Sequence, residues 1–169
     1  DVTFERAVVE HFGCNVVLFD PSPTGAETMA LPENQISQFR FCPVGLSGKN
    51  ETLRFAPPPD PKEGSWFTAS AGAATIEVPC LDLATLMKQN GHERIDLLKI
   101  DIEGAEYDVL ESILTHKLKV KQVLVEFHHN IIPGIPRSRS IRYMLRMVAA
   151  GYKLLKQDGE NHTFYHPRL

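Results

Sequence analysis

The chain has 169 residues, a hydrophobic content of 43% and a formal net charge of −3 at pH 7. A chain of this size and composition fits one globular domain with a substantial core and does not resemble a disordered segment. The negative charge, without a cluster of lysine and arginine, argues against nucleic-acid binding, and the apolar runs are far shorter than the ~20 residues that cross a bilayer.

The first 74 residues alternate helical and strand patterns and end in a long loop. Repeated apolar residues predict helices over residues 2–12 and 24–31, and apolar runs predict strands over residues 16–19, 39–46 and 52–55. The last two strands flank a turn and are expected to form a hairpin. The loop, residues 56–74, is rich in proline and contains the only tryptophan, Trp66. This side chain could belong to a lid over a substrate or pack on the domain surface.

The rest of the chain continues this alternation and closes on a hairpin. The patterns predict strands over residues 75–78, 95–100 and 122–128, and helices over residues 82–90 and 105–116. A stripe of apolar residues then predicts a last helix, which ends at Gly151. The stripe consists of Ile141, Met144, Leu145 and Val148. Residues 152–156 and 163–165 flank a turn and predict a terminal β-hairpin. The alternation implies an α/β protein with a mostly parallel sheet, helices on both faces and an antiparallel last strand.

Acidic residues follow two of the predicted strands, at the ends where open α/β sheets bind ligands. Asp101 comes directly after an apolar run, and an unpartnered charge at the rim of a buried sheet is costly. Asp101 and the nearby Glu103 are therefore candidate functional residues, whereas Glu106 could simply complement the positive end of the helix that it begins. Asp20 ends another strand and could accept hydrogen bonds from a nucleotide ribose or cap the next helix.

The segment Asp96–Glu106 resembles the signature of the FkbM-type methyltransferases, which use S-adenosylmethionine. Four shorter segments resemble other parts of the family in the expected order: Asp1–Glu5, Phe12–Cys14, Phe19–Pro23 and Leu124–His128. The resemblance implies a Rossmann-like methyltransferase fold of seven strands with the last strand antiparallel, in one domain over residues 1–169. It also implies that the family's first strand and glycine-rich turn precede Asp1, so we expect the domain to be incomplete at its N-terminus.

The resemblance also assigns cofactor contacts. Asp20 would bind the ribose, with Pro21 and Ser22 beside it, and Asp101 would lie near the methionine end and the transferred methyl group. The turn expected against the adenine consists of Val44, Gly45 and Leu46. Asp20 and Asp101 are therefore expected to line one crevice.

Methyl transfer to a hydroxyl benefits from a general base, because a hydroxyl is a weak nucleophile. Glu126 and His128 at one strand end, and Asp101 and Glu103 at the neighbouring one, could converge on the acceptor, with Asp101 or His128 as the base. His128 could instead satisfy a buried hydrogen bond, and His129 is expected to face solvent. Carboxylates with a histidine could also hold a divalent metal, but no tight ligand spacing supports this, so the sequence assigns no metal ligand.

Two other classes of function stay open. A nicotinamide-dependent oxidoreductase would use Asp20 for its ribose equally well, although the chain has no G-x-G-x-x-G motif. A degenerate domain that serves only as an interaction module would lack the catalytic acids that are present here. Neither a signal pattern nor the three widely spaced cysteines point to an oxidising compartment. We therefore expect a cytoplasmic enzyme that acts on a small-molecule acceptor, with no nucleic-acid or membrane partner.

Overall fold

The computed structural model of the chain is a mixed α/β protein, described at residues 1–57, 66–68, 75–129, 132 and 134–169. The helices are α1 (Thr3–Phe12), α2 (Pro23–Ala30), α3 (Leu83–Gln89), α4 (Glu106–His116) and α5 (Arg137–Ala149), with a 3₁₀ turn at Pro32–Asn34. The strands are β1 (Val16–Phe19), β2 (Phe39–Cys42), β3 (Gly45–Ser47), β4 (Glu51–Ala56), β5 (Phe67–Thr68), β6 (Ile76–Asp82), β7 (Ile95–Ile100), β8 (Val120–Glu126), β9 (Lys153–Asp158) and β10 (Asn161–Tyr165).

The chain divides into two compact units, Asp1–Gly45 with Thr52–Cys80, and Leu46–Glu51 with Leu81–Leu169. In the first unit, α1 ends where Gly13 takes a left-handed φ of 63°, as the sequence predicts. Strands β1 and β2 pair in parallel. Ser22 begins α2 by accepting a hydrogen bond of 2.9 Å from the Gly25 backbone N–H.

The predicted hairpin between residues 39–46 and 52–55 is wrong. Residues Phe39–Cys42 pair with β1 instead, and in the four-stranded sheet of order β3-β6-β4-β5 the strand β6 lies between β3 and β4. Pro43 explains the break, since it has no N–H to donate to a neighbouring strand. Most of the loop over residues 56–74 lies outside the described residues. Within it, Trp66 is half-buried and donates a hydrogen bond of 3.3 Å from Nε1 to Thr24 Oγ1.

The second unit contains a sheet of order β7-β8-β10-β9. Strands β7 and β8 run parallel, whereas β10 is antiparallel to both β8 and β9, which confirms the terminal hairpin. The expectation of one mostly parallel sheet is met only in part. The described strands form three sheets, and the β4–β5, β8–β10 and β9–β10 pairs are antiparallel. The prediction of a single domain stays a prediction.

The core of the second unit lies between its sheet and helices α3, α4 and α5. Its most deeply buried side chains include Tyr107, Val109, Leu110, Ile113, Val123, Phe127, Met147 and Phe164. Full burial of such a side chain stabilises the fold by about 1.5–3 kcal/mol. This core fixes the ends of β7 and β8 and the first turn of α4 as one framework.

Helix α5 packs only part of its predicted apolar stripe inward, since Met144 alone of the four residues is partly buried against the core. Ile141, Leu145 and Val148 are exposed, while Tyr143 and Met147 are buried. The hydroxyl of Tyr143 donates to Glu111 at 2.9 Å, so a polar contact helps to decide which side of α5 faces inward. Within the described ranges, no helix has the length and apolar character needed to cross a bilayer.

Candidate functional site

The parallel strands β7 and β8 bring four predicted residues to neighbouring strand ends in the second unit. Asp101 and Glu103 follow β7, Glu126 is the last residue of β8, and His128 lies two positions further on. Nε2 of His128 lies 3.6 Å from Asp101 Oδ1 and 3.5 Å from Glu103 Oε2. The structure therefore brings Asp101, Glu103 and His128 together. The convergence of these three and Glu126 on an acceptor stays a prediction.

A tight turn between β7 and α4 places these acids. Glu103 takes φ 51° and Gly104 takes φ 102°, both in the left-handed region. A Cβ atom on Gly104 would lie 2.8 Å from Ile132 Cδ1 and 3.2 Å from Ile135 Cδ1, so only glycine fits this position without displacement. The turn directs Glu103 back toward His128.

Glu106 has a role that the sequence left open. It begins α4, as expected of an acid near the positive end of a helix, but its side chain is fully buried. One carboxylate oxygen, Oε1, accepts a hydrogen bond of 3.1 Å from the Gly104 N–H and is also hydrogen-bonded to Nδ1 of His128. The other oxygen, Oε2, is buried without a hydrogen-bond partner among the described residues. Glu106 thus joins the turn to the imidazole.

The hydrogen bond to Glu106 raises the pKa of His128 to about 9, although burial of the ring acts in the opposite direction. Glu103 and Asp101 raise the pKa of His128 further through their negative charge. Burial raises the pKa of the Glu126 carboxyl, and the nearby Asp101 adds to that shift. The site therefore concentrates negative charge around one imidazole, an environment suited to a cation.

Asp20 lies in the first unit, at the end of β1. Its Oδ1 accepts a hydrogen bond of 2.8 Å from the Ser22 N–H. Asp20 does not cap α2, because Ser22 is the N-cap residue and its side chain accepts from the Gly25 N–H. The carboxyl group lies against the first turn of that helix, where a Cβ atom on Gly25 would be only 2.3 Å from Asp20 Cγ. Gly25 therefore leaves the space that the Asp20 carboxyl group occupies, a role that the sequence patterns did not reveal.

The predicted adenine turn is only partly in one unit. Val44 and Gly45 belong to the first unit, where a Cβ atom on Gly45 would lie 3.5 Å from Pro21 Cγ. Leu46 belongs to the second unit and packs against its core. The expectation that Asp20 and Asp101 line one crevice stays a prediction.

The prediction that His129 faces solvent is wrong. Its ring is buried, Nδ1 is within 2.8 Å of Ser140 Oγ, and Nε2 is within 2.9 Å of Glu160 Oε2. Ser140 and Glu160 come from α5 and from the turn between β9 and β10, so no short-range sequence pattern could reveal these partners. Two successive histidines thus serve separate polar clusters.

An α/β sheet with acids and an imidazole at the ends of parallel strands is the arrangement of a ligand-binding enzyme domain. Comparison with known sequences identifies the class as a methyltransferase. The sequence model described as "Methyltransferase FkbM domain" matches residues 3–154. The chain therefore belongs to the FkbM methyltransferase family, as its resemblance predicted.

The individual proteins that the chain resembles are distant relatives, which match only part of it. The chain is 25% identical over 123 residues to the protein named hexuronic acid methyltransferase AglP of Haloferax volcanii, covering 70% of this chain and 49% of that protein. It is 34% identical over 77 residues to the proteins named probable methyltransferase-like protein 24 of Rattus norvegicus and of Homo sapiens, covering 44% of this chain and 20% of each. The chain thus spans about half or less of the length of these relatives. No solved structure is a significant match.

Proposed function

We propose that the chain transfers the methyl group of S-adenosylmethionine to a hydroxyl oxygen of a small molecule of the sugar or natural-product type. Family membership supports methyl transfer in general. The observation that carries the finer proposal is the convergence of Asp101, Glu103 and His128 at the ends of parallel strands. Strand ends of this kind are where α/β sheets bind their ligands.

The acidic side chains at the strand ends fit the sulfonium end of S-adenosylmethionine, which carries the methyl group. The cofactor supplies a methyl group on a positively charged sulfur, and the carboxylates of Asp101, Glu103 and Glu126 create a negative environment for such a cation. We assign Asp101 to the methyl end. The fully buried Glu106 keeps the turn and His128 in place.

The ribose is assigned to Asp20, with Pro21 and Ser22 beside it. The bond from the Ser22 N–H fixes one carboxylate oxygen of Asp20, and a carboxylate retains further acceptor capacity for ribose hydroxyls. The adenine is assigned to Val44, Gly45 and Leu46. Gly45 lies beside Pro21, since a Cβ atom on Gly45 would be in ordinary van der Waals contact with Pro21 Cγ at 3.5 Å, and this proximity supports the first part of the assignment.

In the proposed step, the acceptor oxygen attacks the methyl carbon from the side opposite the sulfur. The new C–O bond forms as the C–S bond breaks, and the electron pair of the broken bond stays on sulfur. The hydroxyl proton leaves to a general base, while Glu103 and Glu126 orient the acceptor. Asp101 is the candidate base at neutral pH, because the raised pKa of His128 keeps its imidazole protonated there, and His128 could take this role only above a pH of about 9. A positioned base typically contributes 10²–10⁴-fold to such a rate, and alignment of the reacting atoms contributes more.

The name of one relative suggests which class of acceptor to test first. AglP is named a hexuronic acid methyltransferase, so glycosides of sugar acids come first among the acceptors to test. Neutral glycosides and polyhydroxylated natural products come next.

The test uses the full-length protein, S-adenosylmethionine with a labelled methyl group and this acceptor series. We expect label in at least one acceptor, and at least a 100-fold loss of turnover in Asp101→Asn or His128→Ala. Asp96→Asn is the matched control, since Asp96 is an exposed acid of β7 paired only with Arg94 among the described residues. Near-normal turnover in both site variants would refute the base assignment. Hydride transfer with a nicotinamide cofactor and no methyl transfer would refute the function.

A further inference from the structure

Three side chains of the acidic cluster form a donor set that their sequence spacing does not reveal. Asp101, Glu103 and His128 each offer one ligand atom, and these atoms all lie within 4.8 Å of one another. The two distances from His128 Nε2, 3.6 and 3.5 Å, are longer than a direct charge-assisted hydrogen bond of about 2.7–2.9 Å. They approach the separation of about 3.0–3.4 Å expected for two ligands that share one metal ion at about 2.1 Å.

The imidazole is prepared for this role by its other nitrogen. His128 is only 6% exposed, and its Nδ1 is bonded to the wholly buried carboxylate of Glu106. Among the described residues, Nε2 makes no hydrogen bond and instead points toward the two carboxylates. Metal-binding histidines almost always donate their second N–H to a carboxylate, carbonyl or water in this way.

The open side of the cluster leaves room for further ligands. Asp101 is 48% exposed at its side chain, whereas Glu103 is 18% exposed. Water or oxygens of a bound molecule could therefore complete the coordination from the solvent side. Two carboxylates and one imidazole, with open positions, suit a divalent ion that accepts oxygen and nitrogen ligands.

We propose that Asp101, Glu103 and His128 bind one divalent cation of the magnesium or manganese type, with Glu106 orienting the imidazole. The binding itself does not depend on the proposed function. The use of the cation does rest on that function: it would hold the acceptor hydroxyl and make its proton easier to remove. Asp101 and His128 would then act as ligands rather than as the base, and the proton would pass to solvent. Glu106 is a positioning residue in this arrangement.

The test titrates Mn²⁺ alone into the full-length protein and follows its electron paramagnetic resonance signal, with Mg²⁺ as competitor. We expect one bound Mn²⁺ per chain. Asp101→Asn, Glu103→Gln and His128→Gln should each weaken binding at least tenfold, and Glu106→Gln should weaken it 10–100-fold by loosening the imidazole. Asp96→Asn, which removes the same charge from an exposed position of β7, should leave the affinity unchanged.

A second measurement does not depend on variants that could misfold. Pulsed resonance on the unaltered protein should detect coupling between Mn²⁺ and an imidazole nitrogen. Failure to bind Mn²⁺ at millimolar concentration, lack of nitrogen coupling, or binding that Asp101→Asn and Glu103→Gln leave intact would each overturn the proposal. Because neither measurement contains cofactor, Mn²⁺ binding without methyl transfer would refute the proposed function and leave the cation site standing.

Discussion

Nδ1 of His128 is hydrogen-bonded to the carboxylate of Glu106, which is the first residue of α4 and is fully buried. This contact joins residues 22 positions apart in sequence and ties the turn after β7 to the end of β8. The same carboxylate accepts the Gly104 N–H, so one side chain fixes both the backbone turn and the imidazole.

Glu106→Gln tests whether Glu106 does more than complement the helix dipole. We expect the free energy of unfolding to fall by about 1–3 kcal/mol, because the amide leaves the buried imidazole with a poorer partner. Asp108→Asn is the matched control, since Asp108 is an exposed acid in the same helical turn and should cost at most about 1 kcal/mol. Denaturant unfolding measures both, and equal losses would reduce Glu106 to a helix-dipole residue.

Gly104→Ala tests the shape of the turn. The variant must keep a φ of 102° and place its Cβ atom 2.8 Å from Ile132 Cδ1. Gly159→Ala is the comparison, because Gly159 also has a positive φ but a Cβ atom there meets nothing within 4 Å among the described residues. We expect Gly159→Ala to cost about 1–2 kcal/mol and Gly104→Ala to cost about 1 kcal/mol more, because the atoms that it meets are the far ends of isoleucine side chains that can turn away. Similar unfolding free energies for the two variants would contradict the close contact.

The contact between Glu111 and Arg146 predicts a loss of stability in acid. Hydrogen bonds from Arg146 and Tyr143 lower the pKa of Glu111 from 4.5 to about 2. Because the folded-state pKa is lowered, the stabilisation is present above pH 4.5 and disappears as the pH falls toward 2. Glu111→Gln should therefore cost about 1 kcal/mol at pH 7, after allowance for solvent screening, and nothing near pH 2. A cost that does not vary with pH would show that the charge contributes nothing.

Gly25→Ala tests the position of the Asp20 carboxylate. An alanine Cβ would lie 2.3 Å from Asp20 Cγ and 2.8 Å from Asp20 Cβ, so the carboxylate has to move. If Asp20 binds the ribose, we expect cofactor affinity to fall about tenfold or more, since hydrogen bonds to a charged group contribute about 1.5–3 kcal/mol. Glu27→Ala, an exposed change in the same helix, should leave the affinity unchanged. Calorimetric titration compares the two, and unaltered binding in Gly25→Ala would remove Asp20 from the cofactor site.

Local patterns were sufficient to predict most of the helices and the placement of acids at strand ends. Asp101 and Glu103 could be singled out because an apolar run followed by charge is visible in the sequence itself. The terminal hairpin was predictable for the same reason, since its two strands flank a short polar turn.

Long-range partners were not predictable. The insertion of β6 between β3 and β4 depends on pairing between distant segments. The inward face of α5 includes Tyr143, which donates a hydrogen bond to Glu111 on another helix, and only Met144 of the apolar stripe. The burial of His129 and the bond between His128 and Glu106 likewise depend on contacts that only the folded chain creates.

The most direct test of the proposed methyl transfer is calorimetric titration of S-adenosylmethionine into the full-length protein, with Asp20→Asn and with the nicotinamide dinucleotide as comparisons. The proposal predicts one bound cofactor per chain, at least a tenfold loss of affinity in Asp20→Asn and no binding of the nicotinamide dinucleotide. Binding of the dinucleotide in place of S-adenosylmethionine, or binding of neither, would contradict it.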